Sequence, residues 1–135
     1  MQYYALLLRN ETIDFGSYSP DEMQKIMAEF DAWNASMISS GQLIASASLQ
    51  GGGGKTLRAG IVSDGPYSEA AEAVAGLLII QAEEYEQATA IAYGCPFLPR
   101  GGSVEVRLIP ELEFEDAALP IVTAHIDVRT AKATG

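Results

Sequence analysis

The stretch GLLIIQAEEYEQATAIAYGCP, residues 76–96, decides the predicted fold. Residues 76–82 form a short, almost continuous apolar run, which is typical of a buried strand. Residues 83–93 then follow a helical spacing, and Gly94-Cys95-Pro96 brings the residue types that end a helix. The stretch therefore predicts a strand followed directly by a helix.

A second strand and helix are predicted near the amino terminus. Residues 2–8, QYYALLL, form another apolar strand-like run. Residues 19–22, Ser-Pro-Asp-Glu, have the pattern of a capping box with proline at the first helical position, and we expect the helix to end near Ser40, with Gly41 as its stop. Its apolar residues recur at helical spacing: Met23, Ile26, Met27, Phe30, Trp33, Met37 and Ile38. Of these, five are predicted to be helix core: Met23, Met27, Phe30, Trp33 and Met37.

Three further segments are predicted as strands. Residues 42–49 and 103–109 alternate in hydrophobicity, and residues 56–62 form another strand-like run. The order strand, helix, two strands, strand, helix, strand predicts an α+β fold, a ferredoxin-like βαββαβ sandwich with both helices on one face of an antiparallel sheet. Because the strands are apolar on both faces, a second copy of the sheet is expected to cover the other face in a homodimer.

Composition and charge restrict the partners of this chain. The 135 residues correspond to one domain, and the single cysteine, Cys95, excludes an intrachain disulfide. The formal net charge is −10, and the eight basic residues are scattered, so we predict no direct binding to nucleic acid. No apolar run is long enough to span a bilayer and no signal-peptide pattern is present, so we predict a cytoplasmic protein that does not bind membranes.

The glycine run GGGGKT, residues 51–56, resembles the end of a phosphate-binding loop. That motif requires another glycine five residues before its Gly-Lys pair, where this chain has Leu49, and it must open a helix. Here a strand-like run follows, so the glycines are predicted to form a hairpin connection. No cofactor is predicted.

Several motifs along the chain together identify a family resemblance. Residues 64–72 read DGPYSEAAE, Cys95-Pro96 follows the second predicted helix, and residues 102–107 read GSVEVR. These stretches resemble the YCII-related family in its DGPF-type branch, which is recognised by Asp-Gly-Pro-Phe-Ala-Glu-Thr-Lys-Glu, a later Cys-Pro and a closing Glu-Val-Arg strand. The chain departs from that pattern at three positions: Ala71 replaces the motif lysine, Ala75 a glycine and Leu77 an aromatic residue.

The resemblance covers residues 2–109 and implies a dimeric α/β barrel with a cleft between sheet, helix and the DGPF loop. We divide the chain into a YCII-related domain, residues 1–109, and a carboxy-terminal extension, residues 110–135. In the extension, the alternating run from Ile121 to Val128 is expected to pair with a sheet edge or embrace a partner subunit.

Some members of the wider group are thought to use a His–Asp pair, and one branch eliminates halide from a chlorinated aromatic. Members of the DGPF branch mostly lack an assigned activity, and many are encoded beside extracytoplasmic-function sigma factors.

Five residues are the candidates for a functional site. If the protein is an enzyme, Asp64 is the predicted proton-transferring residue, whereas its structural alternative is a turn cap. Substrate contacts are predicted for Tyr67, Glu105, Arg107 and Trp33; alternatively Glu105 and Arg107 form an ion pair, since i and i+2 share a strand face, and Trp33 is helix core.

Two functions remain open at this point. The first is a small-molecule-binding or regulatory accessory protein, and the second is a lyase- or isomerase-type enzyme acting on a small cyclic or aromatic substrate. The only histidine, His125, lies outside the matching region, which favours the first function and gives no basis for a zinc site. Cys95 is predicted to be a buried structural thiol.

Overall fold

The computed structural model describes residues 1–10, 13–50, 54–64 and 74–113. The elements are β1 (Gln2–Arg9), α1 (Pro20–Ser39), β2 (Leu43–Ser48), β3 (Lys55–Arg58), β4 (Ile61–Asp64), β5 (Val74–Ala82), α2 (Tyr85–Ala92) and β6 (Ser103–Ile109). Two short 3-10 helices, Phe15–Ser17 and Leu98–Arg100, stand in the connections.

Four of the strands form one antiparallel sheet in the order β2-β5-β1-β6. β1 and β5 are therefore central. β1 leads through α1 to the edge strand β2, and β5 leads through α2 to the edge strand β6. Both helices lie on the same face, where they enclose the core. This topology confirms the α+β, ferredoxin-like prediction.

The start and the end of α1 follow from the sequence signals. Ser19 N–H donates to Glu22 Oε1 at 2.7 Å, and Glu22 N–H donates to Ser19 Oγ at 3.1 Å, so the capping box is present. Gly41, at φ 73°, takes the left-handed conformation that ends the helix. One predicted core residue is wrong: Met27 is 61% exposed. At about 100° per residue, Met27 lies roughly 100° around the helix from the stripe that contains Ile26, Trp33 and Met37.

Residues 56–62 are not the single strand that the sequence predicted. The chain turns at Ala59-Gly60, so β3 and β4 pair as an antiparallel hairpin that forms a separate two-stranded sheet. Gly60 adopts φ 79° whereas Ala59 keeps a negative φ; a positive φ at the second central residue is the type II pattern, which favours glycine there. The glycine run lies between β2 and β3, with residues 51–53 outside the described part. The predicted hairpin connection is wrong, because among the described residues β2 pairs with β5 and β3 pairs with β4, in two different sheets.

The two faces of the four-stranded sheet differ in their surroundings. On the covered face, alternate residues of β1 and β5 pack against the helices in the core: Tyr4, Leu6, Leu8, Leu78, Ile80 and Ala82. The opposite face, called the open face below, carries the intervening side chains, which keep part of their surface exposed: Tyr3, Ala5 and Leu7 on β1, Leu77 and Ile79 on β5, and Glu105 and Arg107 on β6. The strands are thus apolar on both faces, as the sequence indicated.

Candidate functional site

A pocket of about 170 Å³ lies between α1 and the β2–β5 half of the sheet, and is called the α1–β2 pocket below. Buried side chains line its interior, while its polar side chains are partly or fully exposed at the mouth. An apolar cavity of roughly 150 Å³ is large enough to bind benzene. The space therefore suits a molecule with a single ring. Its lining residues are Leu8, Phe30, Trp33, Asn34, Ser46, Ala47, Ser48, Ala75, Gly76, Leu78 and Phe97.

Trp33 is held in this wall by contacts on several sides. Its indole Nε1–H donates to the backbone oxygen of Ile91 at 3.0 Å, so the polar edge of the ring is satisfied away from the pocket. Phe30 packs edge-to-face against Trp33, with ring centroids 6.1 Å apart, and Phe97 packs edge-to-face against Phe30 at 4.8 Å. The three rings form a fixed aromatic wall.

The hydrogen-bonding groups of the pocket are neutral. Asn34 follows Trp33 on α1, and Ser46 and Ser48 are two residues apart on β2. An amide both donates and accepts, as does a hydroxyl, so these side chains can bind polar groups of either kind. Among the described residues, the pocket lining contains no ionisable side chain.

Asp64 lies away from this pocket, at the end of β4. Its carboxylate forms an ion pair with Lys55 across the β3–β4 hairpin, and its side chain is 89% exposed. A surface ion pair of this kind contributes little to stability. Asp64 is the last residue of β4, and the predicted turn after it lies outside the described residues. Its assignments as a proton-transferring residue or as a turn cap therefore remain predictions.

Glu105 and Arg107 lie together on the open face, on the other side of the sheet from Trp33. Arg107 Nη1 donates to Glu105 Oε2 at 3.2 Å, and Arg9 Nη1 donates to Glu105 Oε1 at 3.0 Å. The ion pair predicted from their i, i+2 spacing is present. The cluster therefore joins two strands, because Arg9 belongs to β1.

The predicted site residues are not brought together within the described part of the chain. Trp33 lines the α1–β2 pocket, Asp64 lies on the hairpin, and Glu105 and Arg107 occupy the open face. Tyr67 and His125 lie outside the described residues. The roles assigned to all five candidates from the sequence remain predictions.

Sequence analysis missed the polar side of the pocket. Asn34, Ser46 and Ser48 belong to no recognisable motif. Phe97 directly follows Cys95-Pro96 but was not among the predicted site residues. The one usable signal was position: Asn34 adjoins Trp33, and the two serines share a strand face by their spacing. Only the fold brings these separated segments together.

Cys95 is unsuited to nucleophilic chemistry in the folded protein. Its side chain is 1% exposed, and burial raises the pKa of the thiol to about 11, although backbone hydrogen bonds from Phe97 and Leu98 oppose the shift. The thiol is therefore protonated at neutral pH. This agrees with the prediction of a buried structural cysteine.

A second concavity, the α2–β6 groove, has a volume of about 260 Å³. Its lining residues are Thr89, Ala92, Tyr93, Leu98, Gly102, Ser103, Val104 and Val106.

Within the described ranges, no group of three or more potential ligands is placed to hold a metal ion. In the same ranges, no helix is long and apolar enough to cross a membrane.

Comparison with known proteins supports the resemblance drawn from the motifs. The family model of the YCII-related domain matches residues 1–113, most of the chain and all of the main sheet. The search of curated proteins gave no significant match. Of the DGPF motif at residues 64–72, the described part contains Asp64 alone, so assignment to that branch stays a prediction.

Proposed function

This chain belongs to the YCII-related family, and we propose that it is a homodimeric binding protein for a small, uncharged molecule with a single ring. The observation that carries the proposal is the α1–β2 pocket, which combines an aromatic wall, neutral polar groups and a volume of about 170 Å³. Such a combination of apolar lining and a few placed polar groups is typical of small-molecule sites.

The chemistry of the lining, as far as the described residues form it, favours a neutral ligand. A charged group moved from water into a site without an opposite charge loses solvation that nothing replaces. The described lining offers the amide of Asn34 and the hydroxyl of Ser48, which suit a hydroxyl, carbonyl or amide on the ligand. The ring itself would pack on Trp33 and Phe30.

Trp33 makes the proposal directly testable, because it is the only tryptophan in the chain. A matched series of benzene derivatives separates ligand charge from ligand shape: phenol and benzamide are neutral, benzoate is an anion and benzylammonium is a cation. We expect phenol and benzamide to change the Trp33 fluorescence in a saturable manner and the two ions to bind at least tenfold more weakly. Tighter binding of benzoate, or no saturable change with any of the four, would contradict the proposal.

A pair of variants tests the pocket itself. Asn34→Leu keeps a side chain of similar size and removes the amide, so we expect benzamide to lose affinity by about tenfold, the scale of one lost hydrogen bond. Ser36→Ala changes an exposed residue of the same helix that does not line the pocket, and should leave affinity unchanged. Equal effects of the two substitutions would place the ligand elsewhere.

The homodimer part of the proposal rests on the open face. Leu7, Leu77 and Ile79 form an apolar patch across β1 and β5, and β6 adds the Arg9–Glu105–Arg107 cluster at its side. A second copy presents the same patch, and two sheets can pack face to face. A self-complementary apolar surface with a charged border is therefore available on each chain.

Solution mass measurements test the homodimer. We expect a dimer at micromolar concentration, and we expect Ile79→Asp to give a monomer because it places a charge in the middle of the patch. Val62→Asp is the matched control, since Val62 is a more exposed apolar strand residue but lies on the hairpin. A monomeric wild-type protein, or dissociation by Val62→Asp alone, would overturn this arrangement.

A further inference from the structure

The outer edge of β6 and the α2–β6 groove beside it form a surface that the described residues leave open. β6 pairs with β1 on one side, and within the described ranges no strand pairs with its other side. The groove floor is formed by Val104 and Val106, and Leu98 and Tyr93 line it as well. An unpaired edge next to exposed apolar surface is a position that proteins normally cover.

The two faces of β6 differ in chemistry at this edge. Val104 and Val106 face the helices and the groove, whereas Glu105 and Arg107 lie on the open face. Arg107 remains 66% exposed although it contacts Glu105. A segment that covers this edge must therefore be apolar on one face and offer a negative charge to Arg107 on the other.

Residues 122–129 of the same chain, VTAHIDVR, have this pattern in their sequence. They lie outside the described residues. Val122, Ala124, Ile126 and Val128 alternate with Thr123, His125, Asp127 and Arg129. We propose that this segment docks along the outer edge of β6 as an antiparallel strand, with Asp127 opposite Arg107 and Arg129 opposite Glu105.

The same register satisfies the apolar face. When Asp127 is opposite Arg107, Val128 falls opposite Val106 and Ile126 opposite Leu108. The apolar side chains of the segment then extend the floor of the α2–β6 groove. Opposite charges and apolar pairs across neighbouring strands both stabilise a sheet.

Charge also disfavours the neighbouring registers. A shift of two residues in one direction places Asp127 opposite Glu105, and a shift in the other direction places Arg129 opposite Arg107. Both shifts create a destabilising pair of like charges. A shift of one residue would instead turn the apolar side chains to the wrong face. One antiparallel register therefore fits both faces.

The chain between β6 and this segment allows the connection. Residues 110–121 separate them, and an antiparallel return at the same edge needs only a loop, whereas a parallel arrangement needs a crossover. One contact must be exchanged: the backbone N–H of Leu108 now donates to the Tyr85 hydroxyl at 2.9 Å, an exposed bond that a strand carbonyl can replace. The docking requires no change in β1 or in the core.

Engineered disulfides test the register. Arg107→Cys with Asp127→Cys should oxidise to an intramolecular disulfide, because directly opposite residues come within the distance that a disulfide spans. Arg107→Cys with His125→Cys is the matched control and should oxidise at least tenfold more slowly. Cys95 does not interfere, since it is buried and its pKa is raised to about 11. Equal rates, or a covalent dimer as the main product, would overturn the proposal.

A charge exchange tests the docking without cysteines. Arg107→Asp or Asp127→Arg alone should lower hydrogen-exchange protection of residues 122–129 by about 1.5- to 5-fold, the range expected for one cross-strand ion pair. The double exchange should restore the protection. Lys25→Asp makes the same charge change at an exposed position on α1 and should have no effect. Unprotected amides in the wild-type segment, or failure of the double exchange to restore protection, would contradict the docking.

Discussion

Leu6 and Leu7 are neighbours on β1, yet they have opposite environments. Leu6 is 0% exposed on the covered face, whereas Leu7 lies on the open face and keeps part of its surface exposed. β5 repeats the contrast with Leu78 on the covered face and Leu77 on the open one. Within the described part of the chain, the two helices thus complete the core on one face only, and the proposed association between chains would use the open face.

The largest expected effect separates the two leucines. Leu6→Ala should lower the free energy of unfolding by about 2–5 kcal/mol, because it leaves a cavity in a closed core. Leu7→Ala should change the stability of the monomer by less than about 1 kcal/mol, because its surroundings are already open to water. Urea denaturation at low protein concentration measures both values.

The same pair of variants also separates folding from association. Leu7→Ala should weaken the proposed dimer at a concentration where Leu6→Ala, if folded, leaves it intact. Sedimentation of the two variants at matched concentrations measures this. If Leu6→Ala and Leu7→Ala lowered the stability of the monomer equally, both faces of the sheet would be equally closed to water. The contrast between the covered face and the open face would then be wrong.

How far the sequence could predict this contrast depends on the element. Local signals were sufficient for α1, because Ser19 and Glu22 form their capping box within one turn. They failed at Ala59-Gly60, where a two-residue turn interrupts an apolar run that otherwise continues. Local apolar pattern also cannot tell Leu6 from Leu7, since only the packing of the helices distinguishes the two faces.

The candidate site was less predictable for a related physical reason. Trp33 was a candidate contact from the sequence, with helix core as its alternative, and in the structure it is both buried and part of the pocket lining. Other lining residues come from separate elements: Ser46 lies on β2 and Phe97 follows α2, and only the tertiary fold brings them into one pocket with Trp33. The Arg9–Glu105 contact is similar, because it joins the first and last strands of the sheet.

A second expected effect concerns how closely the covered face is packed. A β-carbon added at Gly94 would lie 2.5 Å from the indole Cδ1 and Nε1 of Trp33. Gly94→Ala should therefore cost about 1–3 kcal/mol through overpacking and shift the Trp33 fluorescence, because the indole that donates to the Ile91 backbone oxygen must change position. Urea denaturation and emission spectra measure the two changes.

Gly76→Ala is the matched control for this substitution. A β-carbon there would meet its nearest atoms, the Ala47 backbone oxygen and Leu8 Cδ2, at 3.4 and 3.8 Å, which are ordinary contacts. Its stability should change by less than about 1 kcal/mol. If Gly94→Ala were as well tolerated and kept the wild-type emission, Trp33 would not be fixed in the way the structure shows.

The smallest expected effect comes from an ion pair on the helical side of the molecule. Arg100 Nη1 donates to Glu29 Oε1 at 2.8 Å, and this hydrogen bond lowers the pKa of Glu29. A folded pKa below the unfolded one means that the pair stabilises the protein above the unfolded carboxyl value, about 4.3. That contribution is lost as the pH falls through the lowered folded pKa.

Glu29→Gln should therefore lower the urea midpoint slightly at neutral pH, and the difference from wild type should shrink as the pH falls from about 4.3 through the lowered folded pKa of Glu29. The effect is expected to be small because the Glu29 side chain is 37% exposed and solvent screens the pair. Asp31→Asn removes one negative charge from an exposed position on the same helix and controls for net charge. If both substitutions gave the same pH dependence, the stabilisation would come from overall charge and not from the contact between Glu29 and Arg100.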